Sequence, residues 1–293
     1  MNTPVLNIPV QPVRLYEDVL TLTSIHPPRQ YKNLDYLNAI AGYIAHELNQ
    51  LACRVEYQKY QAEGKEYKNV IATFGDVSRE RIVIGAHYDV CGDQPGADDN
   101  ASAVAGLLEL ARILDYLKPT LNYGVEFVAY CLEEPPSFAT PFMGSLVHAR
   151  SLKEKAARVK AMICLEMIGY FSDAPNSQRF PLDALRYLYP TTGNFITVVG
   201  KLSEQGLIRK VAQHMKAAST IDVQSFAAPS LMPAISLSDH RSYWACGYQA
   251  VMINNTSFYR NPNYHQPSDT IDTLDFDKMA QVVKGVYWAM VNM

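Results

Sequence analysis

Three apolar runs in this chain break off on residues that water, protons or metal ions would claim. RIVIGAHYD starts at Arg81, VEFVAYCLEE at Val125 and AMICLEMIGY at Ala161. Each is short and nearly continuous in apolar residues, the pattern of a strand covered on both faces. Helical spacing appears from Leu34 to Leu51, from Ala101 to Leu117, from Ser145 to Val159, from Ser203 to Ala218, at SDHRSYWACG and from Phe276 to Val291. Further strand-like runs are RVEYQKY, NVIATF, FITVVG, VQSFAAP and QAVMINN. This alternation predicts the α/β class: one domain over residues 1–293, with a mixed, mostly parallel central sheet of about eight strands and helices on both faces. Ligands of such sheets sit beyond the carboxyl ends of the strands, and that is where these runs carry His, Glu and Asp.

Composition narrows the function. A formal charge of −3 spread along the chain leaves no basic field for nucleic acid. No apolar run is long enough to span a bilayer. MNTPVLNIPVQP lacks the basic stretch and apolar core of a signal peptide. The five cysteines are odd in number and form no CxxC pair, so they read as reduced, with Cys131 and Cys164, inside apolar strand-like runs, as small buried residues. The expected compartment is the cytoplasm, or the periplasm or outside if a leader has been removed. Neither a GxGxxG nor a GxSxG turn is present, which argues against a dinucleotide enzyme or a serine hydrolase.

The candidate residues fall at these run ends and in two loops. Asp89 stands two residues after His87, where its carboxylate can accept the imidazole N–H and fix the tautomer; a direct ligand role for Asp89 is the alternative. Asp98 and Asp99 follow Pro95-Gly96 and precede a helix; an acidic N-cap accounts for one of them but not for the pair. Glu133 and Glu134 close the second run, one able to hold a metal and the other to act as general base on a water. Glu166 interrupts the third run, where a carboxylate is costly unless it is paired or bound to metal. Asp239 and His240 open a short helix. His265 lies in NPNYHQPSDT, with Asp269 four residues on.

Taken in order, HYD, PGADDNASA, EE, LEMIGYF, SDH and YHQPSDT resemble the co-catalytic di-zinc aminopeptidase family, which includes glutamate carboxypeptidases and glutaminyl cyclases. The resemblance implies two Zn2+ ions bridged by Asp99, with His87 and Glu166 on one, Glu134 and His265 on the other, and a cis peptide at Asp99–Asn100. It makes Glu133 the general base, assisted by Asp89, and a peptide the partner, cut at its amino terminus. Many members carry Asp where this chain has Glu166. Asp239, His240, Tyr243 and Asp269 fall to supporting or substrate roles, and the segment PPSFATPF, with Phe138 and Phe142, joins Tyr243 and Tyr259 around the substrate side chain. A glutaminyl cyclase on the same scaffold is the alternative, although cyclases tend to place Trp where this chain has Tyr264. A catalytically silent binding protein is a second alternative. The resemblance leaves the oligomeric state open.

Overall fold

The computed structural model describes residues 7–293, so the leader reading of the first twelve residues lies partly outside it. The sheet grows from β1 (Arg54–Ala62), β2 (Lys65–Phe74), β3 (Arg81–His87), β4 (Gly124–Tyr130), β5 (Val159–Glu166), β6 (Phe195–Lys201), β7 (Asp222–Ala228) and β8 (Ala250–Asn254). Their order across the sheet is β1-β2-β4-β3-β5-β8-β6-β7. The four central strands β4, β3, β5 and β8 are mutually parallel, and β1, β2 and β6 introduce the antiparallel pairs. Their carboxyl ends are level: His87 pairs with Tyr130, and Glu166 with Asn254. One sheet edge therefore receives the end of every central strand.

Among the described residues seven α-helices cover the sheet: α1 (Pro12–Thr23), α2 (Leu34–Asn49), α3 (Ala103–Leu117), α4 (Gly144–Glu154), α5 (Gln205–Ala218), α6 (His240–Ala245) and α7 (Phe276–Val291). Pleating divides the strand residues between two cores: Ile82, Ile84 and Ala86 of β3 face the larger one, under α1, α2, α3, α5 and α7, and Val83 faces the smaller one, with α4 and α6. The sequence reading passed over α1, although Pro12 at its start and Leu15, Val19 and Leu22 at helical spacing mark it. Two ion pairs seat α1 on α3: Arg14 donates two hydrogen bonds to Glu109, at 2.8 and 2.6 Å, and Arg112 two to Asp18, at 2.6 and 3.0 Å. Paired guanidinium–carboxylate contacts of this kind fix orientation as well as attraction.

Candidate metal centre

The polar run ends meet at the level edge of the sheet. His87 is the last residue of β3 and Glu166 the last of β5. β4 stops at Tyr130, so Glu133 and Glu134 lie in a loop beyond the strand rather than closing it. Asp99 sits in a wide turn, Ala97–Ser102, that feeds α3, and its peptide to Asn100 is cis. His265 comes from the long connection between β8 and α7. Three turns into the site use left-handed backbone, at Leu132 (φ 65°), Met167 (φ 48°) and His265 itself (φ 55°). Such non-glycine conformations store strain of about 1–3 kcal/mol each and cluster where function needs them.

The two carboxylate oxygens of Asp99 face different partners. His87 Nε2 lies 3.5 Å from Asp99 Oδ1 and 3.4 Å from Glu166 Oε2. His265 Nε2 lies 3.2 Å from Asp99 Oδ2 and 3.3 Å from Glu134 Oε2. Ligands bound at about 2.0–2.1 Å to one tetrahedral ion stand about 3.3 Å apart, so these four imidazole–carboxylate distances match those within an ion's coordination shell, and His87, Asp99 and Glu166 offer three donor atoms all within 4.8 Å of one another. Asp99 Oδ1, Glu134 Oε1 and His265 Nε2 are buried without hydrogen-bond partners, which native interiors rarely permit unless something else satisfies them. Nitrogen and carboxylate donors in these sets suit a divalent ion such as zinc. The residues fit such a group. Glu133 reaches to 3.8 Å from His87 Nε2 and stands beside both sets.

A ring of contacts outside these residues sets their positions. His87 Nδ1 donates to the Asp89 main-chain carbonyl at 3.2 Å, while the Asp89 carboxylate is 3.7 Å away. That carboxylate instead accepts the backbone N–H groups of Glu133 and Glu134, both at 3.1 Å. Asp89 thus aims the glutamate pair while its carboxylate stays beside the imidazole that it is expected to orient. Asp269 accepts the N–H groups of Asp98 and Asp99 at 2.9 and 3.0 Å, tying the His265 loop to the Asp99 turn. Asp98 is spent on structure: it accepts from Gly169 N, Tyr170 N, Asn255 and Asn261 at 2.8 to 3.0 Å. Ser238 donates to Glu166 Oε2 at 2.6 Å.

Gly96 opens the Asp99 turn at φ 64°, and a Cβ there would collide with the Asp99 carbonyl and Val90. Gly96→Ala is therefore expected to lower the unfolding midpoint and metal content together, read by thermal unfolding and elemental analysis. An unchanged midpoint would show that the turn is not under this constraint.

Crowding four carboxylates around two imidazoles has electrostatic consequences. Burial holds Glu133 well above the usual carboxylate range and, with Asp99 adding, pushes Glu134 up to about 7. Burial also pushes up Asp239, to about 7, and, with Asp98, Asp269, to about 8. Burial opposes the charged form of His265, but Asp99 and Glu134 outweigh it and push the imidazole up to about 10. All these folded values exceed the unfolded ones, so their stabilisation is complete below the unfolded pKa and is lost as pH rises through the folded one. Chelator-treated protein is accordingly expected to lose thermal stability as pH rises from about 5 to 8. Added Zn2+ should reverse the slope, because its ligands must be deprotonated. A flat chelated profile would contradict these shifts.

The supporting residues divide. Asp239 is fully buried, with neither carboxylate oxygen hydrogen-bonded, within electrostatic reach of His87 and Glu166. His240 donates from Nε2 to the Ile235 carbonyl at 2.7 Å and packs edge-on to Trp244; burial draws it down to about 4, so it is a neutral structural residue. Tyr243 bonds Tyr130 and His148 at 2.7 and 2.6 Å inside the smaller core. Phe138 stacks under Arg241 and Phe142 is exposed. The cleft that adjoins the cluster is elsewhere. Glu166 and Tyr264 border it, and Phe195, Phe226, Met252, Phe258 and Tyr259 wall it, around about 830 Å³ including its mouth. Several of its aromatics come from β6, β7 and the Ser257–Tyr259 turn, and of the four aromatics expected around the substrate side chain Tyr259 borders this cleft.

Sequence reasoning also missed Arg29. It is 1% exposed and donates to the carbonyls of Tyr88, Leu22, Pro95 and Gly96 at 2.8, 3.0, 2.5 and 2.7 Å. It clamps the loop after His87 to the turn before Asp99, and its charge faces Asp269, Asp99, Asp89 and Glu134. A lone Arg after two prolines offers no signal of this.

A level sheet edge carrying two His–Glu sets that share one Asp defines an α/β protein with a candidate two-metal centre. The chain belongs to peptidase family M28, whose sequence pattern matches residues 69–290. It is 45% identical over 289 residues to the uncharacterized protein YfbL of Escherichia coli K12, covering 96% of this chain and 88% of that one. Leucine aminopeptidase 1 of Sclerotinia sclerotiorum is 27% identical over 290 residues, covering 92% and 67%. Among solved structures, the LapA aminopeptidase of Legionella pneumophila superposes with a TM-score of 0.78 at 22% identity, covering 97% of this chain and 72% of that one. A glutaminyl cyclase of Bacteroides thetaiotaomicron bound to N-acetylhistamine gives 0.73 at 19%, covering 98% and 100%. Those two likenesses concern the fold alone.

Proposed function

We propose that the chain is a zinc-dependent aminopeptidase acting as one catalytic domain, with His87, Asp99 and Glu166 holding one ion and Asp99, Glu134 and His265 the other. The observation that carries this reading is the divided carboxylate of Asp99, one oxygen spaced for each set. When bound, two such ions would acidify a water and polarise a substrate carbonyl. Glu133 takes the water's proton and returns it to the leaving amine; its burial favours the protonated form it needs midway. Asp89 keeps Glu133 and Glu134 aimed through their backbone amides, and Asp269 keeps Asp99 and His265 in register. The aromatic cleft beside Glu166 takes the amino-terminal side chain, which its walls select as large and apolar. The substrate is a peptide with a free amino terminus. Among the described residues no helix is long and apolar enough to cross a membrane.

A panel of aminoacyl chromogenic substrates, run beside glutaminyl peptides assayed for ammonia release, tests the reading. Zinc-dependent cleavage favouring leucyl and phenylalanyl substrates is expected. Ammonia release without cleavage would make the chain a cyclase, and tight peptide binding with neither activity would make it a binding protein.

A further inference from the structure

The loop leaving His87 runs through Tyr88, Asp89 and Val90 to Cys91 before Gly92 turns it at φ 70°. Cys91 is half-buried, and its Sγ forms a group with a carboxylate oxygen of Glu134 and an imidazole nitrogen of His265, all within 4.8 Å of one another. Both partners have donor atoms unused: Glu134, only 4% exposed, leaves Oε1 unpartnered, and His265 leaves Nε2 unpartnered. Sulfur and nitrogen on one tetrahedral ion stand about 3.5 Å apart. From at most 4.8 Å, closing the remaining gap takes no more than about 1.3 Å, within the swing of a cysteine χ1. Cys131 and Cys164, by contrast, are buried and belong to no such group among the described residues.

We propose that Cys91 is a further donor to the His265–Glu134 half of the centre, so that an ion there is held by sulfur as well as nitrogen and oxygen. The other half keeps nitrogen and oxygen alone. This rests on the metallopeptidase reading and deepens it. On binding, the thiol S–H bond breaks, its proton goes to solvent, and a sulfur lone pair forms the bond to the ion without redox change. Sulfur biases that half toward zinc and cadmium over magnesium and manganese. It also exposes one half of the centre, and not the other, to thiol reagents.

Titrating the metal-depleted protein with Co2+ tests the proposal. The wild type is expected to develop visible d–d bands and a near-ultraviolet sulfur-to-cobalt band; Cys91→Ser keeps the first and loses the second. A sulfur band absent from the wild type, or surviving in Cys91→Ser, overturns the thiol ligand and leaves the metal reading standing. Absence of d–d bands from both proteins overturns both. Should Cys91→Ser misfold by circular dichroism, alkylation of the wild type with iodoacetamide gives a second readout. Cd2+ is expected to protect Cys91 and not the half-buried Cys53; equal labelling with and without Cd2+ overturns the proposal.

Discussion

Glu133→Gln is expected to slow cleavage of an aminoacyl substrate by about 10²–10⁴-fold, the usual contribution of a general acid–base, while metal content stays at the wild-type level. The substitution preserves volume and a hydrogen-bonding amide, and it removes only the group able to accept a proton. Glu133 is 5% exposed, its backbone N–H is fixed by Asp89, and its carboxylate stands beside His87. Because His87, Glu133 and Glu134 also form a group with ligand spacing, metal analysis is the decisive companion measurement. A Gln variant that lost metal would mark Glu133 as a ligand. One that kept metal and full turnover would remove it from the mechanism.

Arg29→Met is expected to cost about 3–5 kcal/mol of stability, a large share of the 5–15 kcal/mol of an ordinary domain. The methionine fills much of the same space but leaves four carbonyls, those of Leu22, Tyr88, Pro95 and Gly96, without the donor they have now. Each unpaired buried acceptor costs about 1–3 kcal/mol, softened where water can enter. The guanidinium is also the buried cation among Asp269, Asp99, Asp89 and Glu134. The expected readout is a fall of roughly 10 °C in unfolding midpoint for a chain of this size, larger in chelator than in Zn2+. A shift near zero would mean that the loop and turn hold together without the clamp.

Arg29 also shows where reading the chain had to stop. The strands that end in His87 and Glu166 were legible because burial on both faces leaves a continuous apolar run, and any interruption of it stands out. The final helix, Phe276–Val291, was legible because its apolar positions keep helical spacing. The walls of the cleft were not. Phe195, Phe226 and Phe258 lie far apart in sequence, on elements that also need aromatics for packing, so nothing local separates a cleft wall from a core residue. The same ambiguity holds for Tyr243, which the structure buries in the smaller core, bonded to Tyr130 and His148.

By itself the sequence determined the α/β alternation and which residue types stand at the strand ends, because period and burial are local properties written into each run. Only the tertiary structure decided that Asp99 turns one oxygen to His87 and the other to His265, that Asp98 beside it is consumed by Asn255 and Asn261, and that the Asp89 carboxylate holds the backbone of the glutamate pair. Those are choices of partner among residues from about a dozen to more than a hundred and fifty positions apart, and they are made by strand order and loop path, which no short-range pattern encodes.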